Sequence, residues 1–209
     1  MEHYYTSKPN TPHDLHRISY KTAGRNMEFL TDAGVFSKFR VDFGSDCLIR
    51  SLPKLKGRVL DMGCGYGVIG LSIAAANPDS FVEMADINQR AVELAKNNIE
   101  LNRIKNARVF LSNGFSELTG PYDTIVSNPP IRAGKRVIYP IFEQSIDYLN
   151  PLGEFYIVIQ KKQGASSALK LLQSVYGSCE VIKKEGGYWI LRCKKLDLDN
   201  QTGTNSNGD

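Results

Sequence analysis

From residue 57 onward, short apolar runs alternate with stretches whose apolar residues recur every three or four positions. "RVLDM" (58–62) reads as a buried strand and "YGVIGLSIAAA" (66–76) as a helix. "FVEMADI" (81–87) and "NQRAVELAKNNIELN" (88–102) repeat the pair, with Asn88 placed to cap the second helix. Strands follow at 107–112 and 122–127, then a helix near 137–149 and a strand at 154–160. Parallel strands need crossovers and each helix supplies one, so the pattern predicts an α/β fold, a mostly parallel sheet with helices on both faces. The end breaks the pattern. After a helix at "GASSALKLLQSVY" (164–176), "CEVIKK" and "YWILRCKK" flank Glu185-Gly186-Gly187, which predicts an antiparallel hairpin at the sheet's edge.

Outside this alternation the chain is polar. Residues 1–27, with Pro9 and Pro12, are expected to form an extended arm, residues 28–196 the folded domain, and residues 197–209 a disordered tail. A chain of 209 residues, 42% hydrophobic and 23% charged, suits one globular domain with a substantial core. No apolar run reaches the roughly 18 residues of a membrane span, and the start lacks the apolar centre of a signal peptide. A cytoplasmic location, no membrane and a monomer are therefore the expectations. Cys47, Cys64, Cys179 and Cys193 include no C-x-x-C pair, so packed, reduced thiols and no metal are expected. The net charge of +4 is compatible with an anionic partner without requiring one. Lys161-Lys162 and Lys183-Lys184 are candidates for phosphate contact, with solvated surface as the bland alternative.

The chemistry gathers at two places. "LDMGCGYGVIG" (60–70) lies between the first core strand and its helix, where open α/β sheets bind ligands. Gly63, Gly65 and Gly67 let the backbone turn tightly and approach a ligand. Gly65-x-Gly67-x-x-Gly70 with Asp86 downstream matches a dinucleotide fingerprint, so an NAD-dependent oxidoreductase is one reading. Asp61 argues against it, because a carboxylate there opposes a pyrophosphate and suits a ligand with positive charge. The second place is "SNPPI" (127–131), which ends the apolar run "YDTIV". Pro129 and Pro130 cannot extend a strand or helix, and they hold Asn128 stiffly at the strand's end.

Together these motifs resemble those of class I S-adenosylmethionine-dependent methyltransferases. "DMGCGYG" is similar to their D/E-x-G-x-G-x-G motif and "SNPPI" to their N-P-P-[YFIL] motif, in the same order, after the first and fourth core strands. The resemblance implies a Rossmann-like seven-stranded sheet with a C-terminal antiparallel hairpin. With "TDAGVFSKFRVDFGSDCLI" (31–49), "SNGFSEL" and "SNPPIRAGK", it extends over about residues 27–195 to the catalytic domain of small-subunit ribosomal RNA guanine-N2 methyltransferases. That group often carries a second, degenerate domain ahead of the catalytic one, with no counterpart in this sequence. Arg132 stands where many relatives have His.

The resemblance implies S-adenosylmethionine as cofactor, S-adenosylhomocysteine as product, and RNA as partner, either ribosomal RNA or a ribosomal subunit. It places Gly63, Gly65 and Gly67 along the methionine moiety and Asp61 near its amino group. Asp86 and Ile87 fall at the ribose, and Asn113, where the family has Asp, at the adenine. Phe36 and Asp42 would cover the site. Asn128 and the Pro129 carbonyl would accept hydrogen bonds from an exocyclic amine and hold its lone pair in line with the donor methyl. Pro130 would stiffen that loop, and Ile131 would face the base where adenine-N6 enzymes carry an aromatic ring. Methylation of a protein glutamine amide, or of adenine N6 in DNA, uses a similar motif and stays open.

Overall fold

The computed structural model describes residues 12–197. Residues 1–11 of the expected arm and 198–209 of the expected tail lie outside the described residues. The elements are β1 (His16–Thr22), β2 (Arg25–Thr31), α1 (Phe43–Ser51), β3 (Gly57–Met62), α2 (Val68–Ala76), β4 (Ser80–Asp86) and α3 (Gln89–Leu101). There follow β5 (Ala107–Leu111), β6 (Tyr122–Ser127), α4 (Lys135–Gln144), β7 (Leu149–Gln160), α5 (Ala165–Tyr176), β8 (Cys179–Glu185) and β9 (Tyr188–Lys194).

Seven strands form one sheet in the order β5-β4-β3-β6-β7-β9-β8. Pairs among β3 to β7 are parallel, and β9 runs antiparallel to both β7 and β8. Alternation along the central strands builds two cores. Val59, Val126, Tyr156 and Val158 pack with residues of α1, α2 and α3 on one face. Leu60, Ile125, Phe155 and Ile157 pack with residues of α4 and α5 on the other. Each fully buried aliphatic or aromatic side chain here contributes roughly 1.5–3 kcal/mol. Both faces being buried explains why these strands read as continuous apolar runs.

Two expectations need correction. Residues 16–27 of the expected extended arm belong to the fold: β1 and β2 form an antiparallel hairpin across the expected boundary at residue 27. Its inward face alternates, with Ile18, Met27 and Phe29 buried. Its two-residue turn has Ala23 and Gly24 both at positive φ, the twist that suits a tight hairpin. The outer edge of β2 is closed by α3. Asn98 Oδ1 accepts from Leu30 N at 2.7 Å while its Nδ2 donates to Leu30 O at 3.0 Å. Asn102 repeats this on Glu28, at 3.1 and 2.7 Å. Two amides one helical turn apart thus imitate a neighbouring strand. The second correction concerns the thiols. Cys47 and Cys64 are free and buried, but Cys179 and Cys193 face each other across β8 and β9, with Cα atoms 4.0 Å apart, and are joined as a disulfide.

The chain runs from β3 outward to β4 and β5, then returns to place β6 on the other side of β3. The loops after β3 and β6 therefore diverge and leave a crevice between them. Both chemical motifs fall there.

Candidate active site

The loop after β3 is held by its neighbour. Gly63 N and Cys64 N donate to Ala85 O at 2.8 and 3.0 Å, and Gly65 N donates to Asp86 Oδ2 at 2.8 Å. Gly63 and Gly65 have φ of 73° and 56°, and a Cβ at either would meet no atom within 4 Å. Both line a cavity of about 360 Å³, so the backbone there forms a cradle that side chains would fill. Gly67 lies deeper, as the cap of α2, and does not line the cavity. A Cβ at Gly70 would fall 2.6 Å from Met84 Cγ, so Gly70 serves helix–strand packing. Its place in the dinucleotide fingerprint follows from that contact.

Asp86 ends β4 and faces the cavity. Its Oδ1 accepts from Asn88 N at 2.9 Å, and Asn88 in turn caps α3 as expected. Burial raises the carboxyl pKa, against the backbone N–H groups of Asn88, Gly65 and Ile87. Three N–H donors on two oxygens leave one lone pair for a hydroxyl. Asp61 is placed differently. It is fully buried, does not line this cavity, and accepts at Oδ2 from Gly70 N at 2.8 Å, satisfying one of the free donors of the first turn of α2. Its Oδ1 has no partner. Burial, with the Asp86 charge adding to it, pushes its pKa up to about 7. Asp61 thus stands behind the loop whose Gly63 and Gly65 line the cavity.

The same cavity is lined by Ile87, Asn113, Asn128, Pro129, Pro130 and Phe36. Phe36 sits on a loop tied to the start of α3, where Asn88 Nδ2 donates to Gly34 O at 3.0 Å and Arg90 Nη1 to Ala33 O at 2.6 Å. A second cavity of about 420 Å³ adjoins the first and shares Phe36, Asn128 and Pro129 with it. Asp42, Ile131, Arg132, Val158, Gln160, Gln163 and Tyr188 complete its wall. Ile131 thus belongs to the second cavity alone, and two rings, Phe36 and Tyr188, flank the space it faces.

At the junction of the two cavities lies the amide of Asn128. Its Nδ2 donates to Asp42 Oδ2 and to Ser45 Oγ, both at 2.9 Å. An ionised carboxylate only accepts, so Asp42 fixes which end of the amide is nitrogen. Oδ1 is left facing away from Asp42. Asp42 also caps α1, accepting from Ser45 N at 2.9 Å, so the helix start and the amide are positioned by one carboxylate. The strand end is pinned by Ser127 Oγ, which donates to Met62 O at 2.8 Å. Pro130, with φ −73° and ψ 76°, centres an inverse γ-turn in which Ile131 N donates to Pro129 O at 2.8 Å. One lone pair of that carbonyl is therefore occupied and one remains. Ser45 and Tyr188 are site residues that the motif reading missed. The spacing Asp42-x-x-Ser45 before an apolar helix is a capping signal that could have found the first.

The model of the methyltransferase small domain matches residues 26–192 of the chain. The chain belongs to that family. This class I methyltransferase is 45% identical over 199 residues to the uncharacterized protein YbxB of Bacillus subtilis, covering 93% of this chain and 99% of that one. It is 36% identical to the ribosomal RNA small subunit methyltransferase C of Vibrio vulnificus, over 82% of this chain and 51% of the other. Among solved structures it is similar to the T. thermophilus 16S rRNA N2 methyltransferase in complex with AdoMet and guanosine, with TM-score 0.80 and 26% identity. The match covers 90% of this chain and 52% of that one. The chain thus spans about half the length of these named rRNA methyltransferases. The oxidoreductase reading falls with the family match.

Proposed function

We infer that this methyltransferase modifies the exocyclic N2 amine of a guanine in small-subunit ribosomal RNA. S-adenosylmethionine is its cofactor and S-adenosylhomocysteine the product. In this reading the first cavity holds the cofactor and the second the base. Gly63 and Gly65 cradle the methionine moiety, Asp86 and Ile87 meet the ribose, Asn113 reads the adenine edge and Phe36 covers the site. Bound there, the cofactor supplies an electrophilic methyl group on a sulfonium.

The observation that carries the reading is the tethered amide of Asn128, at the wall the two cavities share. With its nitrogen committed to Asp42 and Ser45, the amide presents an acceptor oxygen, which suits an N–H substrate. Guanine N2 is a weak nucleophile because its lone pair is delocalised into the ring. Accepting its protons at Asn128 Oδ1 and at the remaining lone pair of Pro129 O aims the nitrogen and stabilises the charge that develops on it. The spent proton needs no strong base, because a methylated ammonium of this kind is acidic. Phe36 and Tyr188 offer faces for an unstacked base. Burial and the Asp42 charge raise the Tyr188 pKa, keeping it a phenol. Ile131 adds aliphatic packing at the position where the adenine-N6 enzymes of the resembled family carry an aromatic ring.

The test is methyl transfer to small-subunit rRNA, free and within the subunit, followed by digestion and nucleoside analysis. N2-methylguanosine is expected. Methyl on adenine N6, or on protein amide alone, would overturn the assignment.

A further inference from the structure

The two loops that follow β6 and β7 both line the second cavity, through Arg132 on one side and Gln160 and Gln163 on the other. Exposed cations stand beside these lining residues: Lys135 and Arg136 open α4 just after the first loop, and Lys161 and Lys162 lie between the two glutamines. Residues 129–142 and 155–179 contain no acidic residue at all. Elsewhere cations are commonly neutralised, as Arg50 is by Glu185, Arg108 by Glu83 and Arg192 by Glu180. Among the described residues, no ion pair engages Lys135, Arg136, Lys161 or Lys162. Lys135 lies 5.5 Å from the Tyr139 ring centroid, which leaves its charge intact. Lys183 differs, because it pairs with Glu185 at 2.7 Å.

Four cations without an ion-pair partner flank a cavity whose one wall carboxylate, Asp42, is engaged by Asn128 and Ser45, and an anion across its mouth relieves their mutual repulsion. A base entering the second cavity brings phosphates with it on both sides. We propose that Lys135 and Arg136 at the start of α4, and Lys161 and Lys162 after β7, grip the RNA phosphates flanking the methylated nucleotide. This makes the cavity mouth a two-sided phosphate clamp. The proposal rests on the RNA reading above and assigns the substrate's backbone to specific residues of this chain.

The experiment compares wild type with Lys135→Glu/Arg136→Glu, with Lys161→Glu/Lys162→Glu, and with Lys54→Glu/Lys56→Glu. The last pair is exposed at the opposite end of the sheet, just before β3, and makes the same charge change. Methyl transfer is measured on small-subunit rRNA across a salt series and on free guanosine, which has no phosphate. Each clamp variant should raise KM for RNA by about tenfold and flatten the log–log salt dependence by about 1.5. Guanosine methylation, S-adenosylhomocysteine binding and melting temperature should stay as in wild type, and the Lys54/Lys56 variant should match wild type throughout. An unchanged salt slope in either clamp variant overturns the two-sided clamp, as does an equal loss in all three variants. Wild-type protein that methylates no RNA overturns the functional reading and the clamp with it, whereas normal rRNA methylation with an unaltered slope overturns the clamp alone.

Discussion

Asp61→Asn isolates the cost of burying a carboxylate behind the cofactor loop. The side chain keeps its shape, and its oxygen still accepts from Gly70 N, but it can no longer ionise. In the wild-type chain the carboxyl titrates at about 7 when folded, against 3.8 in the absence of structure. Between those values the folded state holds a proton that the unfolded state has lost. A raised carboxyl pKa therefore makes stability fall as pH rises from about 4 to about 7, and the loss is complete above that. At about 1.4 kcal/mol per pH unit, the displacement amounts to roughly 4 kcal/mol. That is a large share of the roughly 5–15 kcal/mol that holds a domain folded. Glu83, whose pKa is lowered, gives the opposite slope, but only below about 4.5, outside this window. Urea unfolding of ligand-free protein at pH 5 and pH 8 is the assay. The stability of Asp61→Asn relative to wild type should rise by several kcal/mol between the two. An equal difference at both pH values would show that Asp61 is ionised or hydrated throughout, and the burial argument would be refuted.

Asp86→Ala removes the acceptor for both Gly65 N and Asn88 N and the oxygens facing the cavity; S-adenosylhomocysteine affinity by calorimetry should weaken by about 1–3 kcal/mol. Asn98→Ala strips Leu30 of both its amide partners and Tyr66 O of a donor, so amide exchange at Leu30 should accelerate before the rest of the fold opens. Protection equal to wild type there would mean that the hairpin does not depend on α3.

The parallel sheet was legible because both of its faces are buried. Continuous apolar strands and periodic helices carry their pattern locally, and the edge hairpin carried its own glycine turn. The β1–β2 hairpin escaped notice because its polar outward residues dominate "HRISYKT" and "RNMEFLT", and its closing partners are two asparagines some 70 residues away, which no local pattern reports. The Cys179–Cys193 pairing likewise exists only once β8 and β9 are in register. At the site, motif order located Gly63, Gly65, Asp86 and Asn128 in one cavity. It did not show that Asp61 is buried behind the loop, because a motif position does not say which face of the strand its side chain takes. Val59 and Asp61 share the face that packs under α2, and that alternation could have warned of burial. The tie from Asn128 to Asp42 and Ser45 spans more than 80 residues and becomes visible only in the fold.

The central claim is that the Asn128 amide, held by Asp42 and Ser45, presents its oxygen to the amine that receives the methyl group. Single-turnover methyl transfer to small-subunit rRNA by Asn128→Ala, beside a titration with S-adenosylhomocysteine, tests it most directly. The account predicts that the chemical step slows by about a hundredfold or more, the scale of losing one preorganised partner, while cofactor affinity stays within a few-fold of wild type. Transfer at the wild-type rate would contradict it.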